Sequence, residues 1–220
     1  MVAYILLCLC FAALFINREY KKKYVEAVIL KGLASLCFVL LGKSTGNGSL
    51  MSRQILIGLI LGCIADVLLN LRFVFEKKGK IIFLVGILVF LSGHIFYLAA
   101  ILPICRYPMI CALIAAAATY LLMKWIFTKI TAQKAFKIFG IFYIGAIVSM
   151  NTVALCNLLT DRSMFTVIYA LGAVLFLISD IVLILNTFGK ESRFSLRVTN
   201  LSLYYFGQIL IALSLLYLLK

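Results

Sequence analysis

The sequence is short of acidic residues, histidine and proline, and each shortage excludes a class of protein. Only 7 of its 220 residues are Asp or Glu, and charged residues make up 13% of the chain, about half the usual share of a soluble domain. The single histidine, His94, argues against a multi-histidine metal site. With only Pro103 and Pro108 and no low-complexity stretch, nothing indicates a linker, so residues 1–220 are treated as one transmembrane domain.

Familiar chemical motifs are also missing. The seven cysteines form no C-x-x-C pair and their number is odd, so neither a disulfide framework nor a zinc site is predicted. We interpret most of them as small apolar packing residues. No nucleophile elbow, H-E-x-x-H or P-loop motif is recognised, and no metal or cofactor is expected.

Apolar residues are what the chain has in excess, at 65% of the sequence with a mean hydropathy of +1.18. This composition predicts an all-α integral membrane protein with about eight transmembrane helices, because backbone groups in lipid must be satisfied within each segment. The predicted helices are 2–17, 24–41, 54–72, 81–102, 107–125, 136–158, 164–187 and 198–219. The apolar N-terminus precedes its basic residues, the reverse of a signal peptide, and is expected to be a retained first helix.

The net charge of +14 resides mainly in short gaps between the apolar runs. We therefore expect contact with anionic membrane lipids and no nucleic-acid binding. The odd-numbered gaps hold 15 Lys or Arg and the even-numbered gaps hold 4. The positive-inside rule then predicts a multi-pass protein with cytoplasmic odd-numbered loops and both termini outside, and the expected location is a bacterial cell membrane. No oligomeric state is predicted.

Two segments 114 residues apart resemble each other. Residues 58–71 and 172–185 are identical at six of fourteen positions, including Gly58 with Gly172 and Asp66 with Asp180. The same offset aligns Gly93 with Gly207. We predict two four-helix repeats, 1–105 and 106–220, which are parallel because each contains an even number of crossings.

Asp66, Asp180 and Lys31 are ionisable residues inside predicted helices, at similar depths from the basic side. Each costs about 2.5–3.5 kcal/mol if it faces lipid, so we expect them to face one another or a wet cavity. A Lys–Asp pair that only holds helices together is the structural alternative. The two aspartates are the candidate catalytic pair, because carboxyls in unequal surroundings can divide into acid and base.

Other polar residues on the same helices are candidates for binding or orienting a substrate. Asn70 shares a helix face with Asp66. The others are Lys31, Ser179, His94, Tyr97, Tyr204, Tyr205 and Gln208. Helical spacing alone favours a hydrogen-bonded core role for His94 over a catalytic one. It favours roles in packing or bridging helices for Tyr143, Asn151 and Asn157.

Four segments together resemble the YhhN-like lysoplasmalogenase family. They are IGLILGCIADVLL at 57–69, GILVFLSGHIFY at 86–97, GAVLFLISD at 172–180 and YYFGQILIALS at 204–214. The chain departs from the family pattern at Gly32, where proline is usual, and at Ala65, where glycine is usual. The resemblance implies hydrolysis of the vinyl ether bond of a lysophospholipid by Asp66 and Asp180, releasing a fatty aldehyde and a glycerophospho-ethanolamine or -choline.

Two other functions stay open at this point. A transporter or flippase also uses internal repeats and buried carboxylates, and helices broken at mid-membrane would favour it. A binding or structural membrane protein would use its polar cluster only to pack helices, and it would tolerate replacement of both aspartates.

Overall fold

Eight long α-helices make up most of the computed structural model, which describes residues 1–218. Their bounds are α1 Val2–Tyr20, α2 Tyr24–Thr45, α3 Leu50–Leu71, α4 Gly79–Ile101, α5 Pro108–Lys129, α6 Lys134–Thr160, α7 Met164–Phe188 and α8 Phe194–Ser214. Each is long and apolar enough to cross a membrane, and no strand forms within the described residues. The predicted class and helix number are therefore confirmed.

Helix ends differ from the predicted ones by four residues at the ends of α2 and α5 and at the starts of α3 and α8, and by less at the other compared ends up to α7. Helix α3 begins at Leu50 rather than 54, because the Ser49 hydroxyl accepts a hydrogen bond from the Ser52 amide at 3.2 Å and caps the helix. Helix α8 ends as an α-helix at Ser214 and continues as a 3₁₀ turn over Leu215–Tyr217. Its predicted end at 219 lies outside the described residues.

Contacts at the helix ends show how the bundle is threaded. Arg197 at the start of α8 pairs with Glu19 at the end of α1, and Ile130 after α5 pairs with Gly189 after α7. The first, fifth and seventh gaps therefore meet at one end of the bundle. We call this end, which carries most of the Lys and Arg residues, the basic end.

The two halves repeat their features at the predicted offset. Ser163 caps α7 as Ser49 caps α3, accepting from the Thr166 amide at 3.4 Å. Contacts between helices repeat too, since α3 packs on α4 as α7 packs on α8, and α4 packs on α6 as α8 packs on α2. These matches support the two-repeat hypothesis, which stays a prediction.

Glycine allows the closest of these helix contacts. A Cβ on Gly207 would lie 2.9 Å from the Gly172 carbonyl oxygen, and a Cβ on Gly172 would lie 2.9 Å from the Gly207 oxygen. At the matching place in the first half, a Cβ on Gly93 would lie 3.3 Å from the Gly58 oxygen. Backbone cannot rotate away as a side chain can, so these residues set the spacing of the helix pairs.

Gly172→Ala and Gly207→Ala should each force α7 and α8 apart and destabilise the protein by about 1–3 kcal/mol. The measurement is thermal unfolding in detergent. Gly145→Ala in α6 is the matched control, because its Cβ would meet only Thr119 at 3.7 Å and alanine favours a helix by about 0.5–1 kcal/mol. Equal melting temperatures for all three variants would contradict the close contact.

Candidate active site

Asp66 and Lys31 form a buried ion pair between α3 and α2. The Lys31 Nζ lies 3.0 Å from Asp66 Oδ1, and both side chains are under 5% exposed. Lys31 also donates to Asn70 Oδ1 at 3.3 Å, one turn along α3 from Asp66. Asp66 lies five residues, or about 8 Å, from the end of α3, so the pair sits inside the bundle near its basic end.

The second oxygen of Asp66 receives two hydroxyl hydrogen bonds. Ser35 of α2 donates to Oδ2 at 2.5 Å and Tyr204 of α8 donates to the same atom at 2.6 Å. Gln208 donates to the Tyr204 oxygen at 3.2 Å and accepts from Tyr97 at 2.8 Å. Asp66 thus contacts one cation and two hydroxyl donors, within a hydrogen-bonded network that joins α2, α3, α4 and α8.

Asp180 of α7 has different partners and no ion pair with Lys or Arg. Tyr143 of α6 donates to Asp180 Oδ2 at 2.8 Å. His94 Nε2 lies 3.8 Å from the same oxygen, which is too far for a hydrogen bond. The His94 ring packs among aromatic rings, with Phe176 nearest at 4.7 Å. A carboxyl in such apolar surroundings has much less support for a negative charge than Asp66 has.

The two aspartates line one small cavity of about 40 Å³, which we call the polar cavity. Its other lining residues are Lys31, Leu69, Asn70, Arg72, Phe83, Phe90, Tyr143, Leu183, Arg197, Asn200, Leu201 and Tyr204. Asp66, Asp180 and Lys31 therefore line one common space, as their sequence positions predicted.

Two further spaces adjoin the polar cavity and share lining residues with it. The apolar groove, about 60 Å³, lies mainly between α4, α5, α6 and α7 and shares Phe83, Phe90 and Tyr143 with the cavity. The basic vestibule, about 550 Å³, lies at the basic end and shares Arg72 and Arg197. The polar cavity thus adjoins a charged space on one side and a hydrocarbon-like groove on another.

The remaining predicted binding residues lie around this centre in different ways. Tyr97 and Gln208 reach it through Tyr204, as described above. Tyr205 is buried against Tyr204, with ring centroids 5.1 Å apart. Ser179 lies outside the cavity lining, because its hydroxyl and its carbonyl both accept hydrogen bonds from Asn200 at 2.9 Å. It joins α7 to α8, and Asn200 faces the cavity in its place.

The roles favoured by helical spacing are confirmed except for the hydrogen bonding of His94. His94 is a buried core residue, but neither ring nitrogen has a hydrogen-bond partner among the described residues. Tyr143 bridges helices as predicted, because its hydroxyl donates to Asp180 of α7. Asn157 does bridge helices as predicted, donating to the Ile101 carbonyl of α4 at 3.0 Å.

Ser35, Arg72, Arg197 and Asn200 contribute to the site without having been predicted. Arg72 and Arg197 were counted among the basic loop residues, which gave no reason to place them beside a cavity. Ser35 lies one turn after Lys31 in α2, so the position of a serine beside a buried lysine was the one available signal. Asn200 gave none beyond being polar near a helix start.

Residues 42–46, Gly-Lys-Ser-Thr-Gly, match the letters of a G-x-S-x-G nucleophile motif. No nucleophile elbow is predicted from the sequence, and the structure agrees for this segment. They form the end of helix α2 rather than a turn between a strand and a helix. The Ser44 hydroxyl donates to the Leu41 carbonyl at 2.8 Å, and no acid or histidine bonds to it. This serine is therefore not positioned as a nucleophile.

Three cysteines meet at the end of the bundle opposite the basic end. The Sγ atoms of Cys105, Cys111 and Cys156 lie within 4.8 Å of one another. Within residues 1–218 this is the one group of three or more His, Cys, Asp or Glu side chains with spacing suited to a metal ion. None of these three cysteines lines the polar cavity. Among the described residues, the cavity therefore contains no such group of metal-ligating side chains.

One comparison with known proteins finds a protein family that matches this chain. A family model described as the YhhN family matches residues 26–215, which is most of the chain and includes every residue of the polar cavity. Among curated proteins and solved structures, nothing matches.

Lys31→Met should destabilise the protein by about 3–5 kcal/mol, because it leaves Asp66 as a buried, unpaired charge. Adding Asp66→Asn in the same chain should restore most of the lost stability, and both effects can be measured as melting temperatures in detergent. Lys23→Met is the control, since the Lys23–Glu26 pair is about half exposed and is worth at most about 1 kcal/mol. Equal losses from the single and the double variant would show that the two residues are not coupled.

Proposed function

The chain belongs to the YhhN family, and we propose that it hydrolyses the vinyl ether bond of lysoplasmalogens within the membrane. The products are a fatty aldehyde and a glycerophospho-ethanolamine or -choline. One observation carries the proposal: two buried aspartates in different electrostatic surroundings line the same cavity. Vinyl ether hydrolysis needs such a pair, because one group must give a proton while another stabilises a cation.

The surroundings of the two carboxyls support different roles for them in the proposed reaction. Asp66 is paired with Lys31 and accepts two hydroxyl hydrogen bonds, so we propose it as the member that stabilises the cationic intermediate. Asp180 lies among aromatic side chains without a cationic partner, so it is the member that carries the proton. Tyr143 fixes the orientation of Asp180, and the unpartnered His94 ring beside it is placed to orient a water molecule.

The reaction begins when Asp180 transfers its proton to the β-carbon of the vinyl ether. The double-bond electrons form the new C–H bond, which leaves an oxocarbenium ion that the Asp66 carboxylate stabilises. Water then adds to the cationic carbon and its proton returns to Asp180, giving a hemiacetal. Transfer of the hemiacetal proton to the glycerol oxygen breaks the C–O bond and releases the aldehyde. General acid–base help of this kind is typically worth about 10²–10⁴-fold in rate.

The spaces around the aspartates suit a single-chain amphiphile. The apolar groove offers aromatic and aliphatic walls to one hydrocarbon chain, entering from the bilayer. The basic vestibule offers cationic side chains to a phosphate-bearing headgroup. By the positive-inside rule the basic end faces the cytoplasm, so the water-soluble product leaves there.

A transporter is the less favoured function. Alternating-access transporters commonly bind substrate at helices broken near mid-membrane. Within residues 1–218, all eight spanning helices are continuous, and the 3₁₀ turns lie only at their ends. Release of aldehyde by purified protein is the direct distinction, because a transporter moves its substrate unchanged.

Asp66→Asn and Asp180→Asn should each lower aldehyde release from a lysoplasmalogen by about 10²–10⁴-fold or more, because each removes one half of the acid–base pair. The assay uses purified, detergent-solubilised protein with melting temperatures recorded alongside. The matched control is Asp161→Asn, which changes the exposed third aspartate of the chain at the end of α6. Near-normal hydrolysis by either of the first two variants, with the fold intact, would remove the catalytic assignment.

Gly140→Phe should shift the enzyme toward substrates with shorter alkenyl chains. Gly140 lines the apolar groove, and a Cβ there would meet only Met123 at 3.8 Å, so a large side chain fits by filling the groove. The value of kcat/KM for long chains should fall by about tenfold or more while short chains are spared. Gly140→Ala should leave the chain-length profile unchanged. A uniform loss at every length would show that the groove does not hold the chain.

A further inference from the structure

Arg72 occupies the point where the basic vestibule meets the polar cavity. It is the first residue after α3, and it lines both spaces. Its guanidinium lies over two aromatic rings, 4.6 Å from the Phe73 centroid and 4.3 Å from the Phe83 centroid. Stacking of this kind holds the flat face of the group and leaves its N–H edge directed to other partners.

The other two cations that line the polar cavity are already neutralised. Lys31 is paired with Asp66 at 3.0 Å, and Arg197 forms a double contact with Glu19 at 3.0 and 3.2 Å. Within the described chain, Arg72 makes no hydrogen bond or ion pair through its guanidinium, and its Nε atom is buried without a partner. Burial, with help from nearby Arg197, lowers the pKa of Arg72 to about 10, so the group stays cationic at neutral pH.

Arg72 is a partly buried cation, and such a group without a counter-ion is costly unless an anionic ligand pairs with it. We propose that Arg72 is the binding residue for the phosphate of the lysophospholipid, with its N–H edge facing the phosphate oxygens; this inference rests on the proposed function. Arginine matches phosphate geometry with two parallel hydrogen bonds. One unpaired positive charge also matches the single negative charge of a phosphodiester.

The position of Arg72 explains how the scissile bond reaches the aspartates. The phosphate and the vinyl ether oxygen are carried by the two ends of one glycerol. A phosphate at the mouth of the polar cavity therefore places the ether oxygen inside it and directs the hydrocarbon chain onward to the apolar groove. Arg72 acts in this way as a specificity residue that favours phosphate-bearing lipids over neutral glycerol ethers.

The test is a binding measurement that does not depend on hydrolysis. Protein in nanodiscs of neutral lipid is titrated with 1-acyl lysophosphatidylethanolamine, which has an ester in place of the vinyl ether, and with a monoacylglycerol of the same chain. Arg72→Gln should weaken binding of the phosphate lipid by about tenfold or more, which corresponds to losing one strong charge-assisted contact. It should leave monoacylglycerol binding unchanged. Arg72→Lys should retain part of the affinity, since it keeps the charge and loses the fork.

Lys77→Gln is the control, because it removes one exposed cation from the same end outside the vestibule and cavity linings and should change neither affinity. An equal loss of affinity for both lipids in Arg72→Gln, or no loss for either, would overturn the proposal. Displacement of the bound lysolipid by inorganic phosphate as strongly as by the lysolipid itself would also overturn it. The expected binding pattern without any vinyl ether hydrolysis by the wild type would support the phosphate site while rejecting the proposed reaction. If Arg72→Gln hydrolyses vinyl ethers and keeps its preference for phosphate lipids, the proposed reaction is supported and the phosphate site at Arg72 is rejected.

Discussion

The ion pair between Lys31 and Asp66 is the constraint from which the rest of the site follows. Two charges can stay inside a lipid-embedded bundle only if they meet and their remaining hydrogen-bonding capacity is satisfied. Ser35 of α2 and Tyr204 of α8 donate the hydrogen bonds that the Asp66 carboxylate still needs. Because these partners belong to α2 and α8, fixing one carboxylate also fixes how the two halves of the chain meet.

The matched offset of 114 residues explains how two aspartates in equivalent helices acquire unlike chemistry. At the position equivalent to Lys31 the second half has Gly145, so Asp180 receives no cation. At the position equivalent to Tyr204 the first half has Phe90, so no hydroxyl from α4 reaches Asp180. If the halves arose by duplication, a few substitutions were enough to give one carboxyl a cationic partner and leave the other without one. Such a division is what an acid–base pair requires.

The sequence was most informative about the ionisable residues, because a lipid-embedded bundle offers few places that can hold a charge. Asp66, Asp180 and Lys31 stand out in apolar runs because ionisable groups there are costly, and their shared depth already implied a shared space. Hydroxyl side chains such as Ser35 and Tyr143 gave no comparable signal, since a membrane helix tolerates them at a packing surface. Arg72 and Arg197 were hidden for another reason, because charge at a loop is explained by lipid headgroups. Only the folded chain turns them toward the cavity, where Arg197 pairs with Glu19 of α1 and Arg72 lies over Phe83 of α4. The helix ends were missed where a serine cap extended α3 beyond its apolar run.

The order of the three spaces suits a reaction whose substrate must come from the bilayer and whose co-substrate is water. A carboxyl kept neutral by apolar walls loses that property if the cavity opens freely to bulk water. Arg72 and Arg197 line both the vestibule and the polar cavity, so they lie between the basic end and the cavity that Asp180 lines. In the proposed reaction, the hydrocarbon chain of the substrate would cover the other side by filling the apolar groove. The amphiphile itself would then help to exclude water from Asp180, so that substrate binding would favour the acid form of that carboxyl.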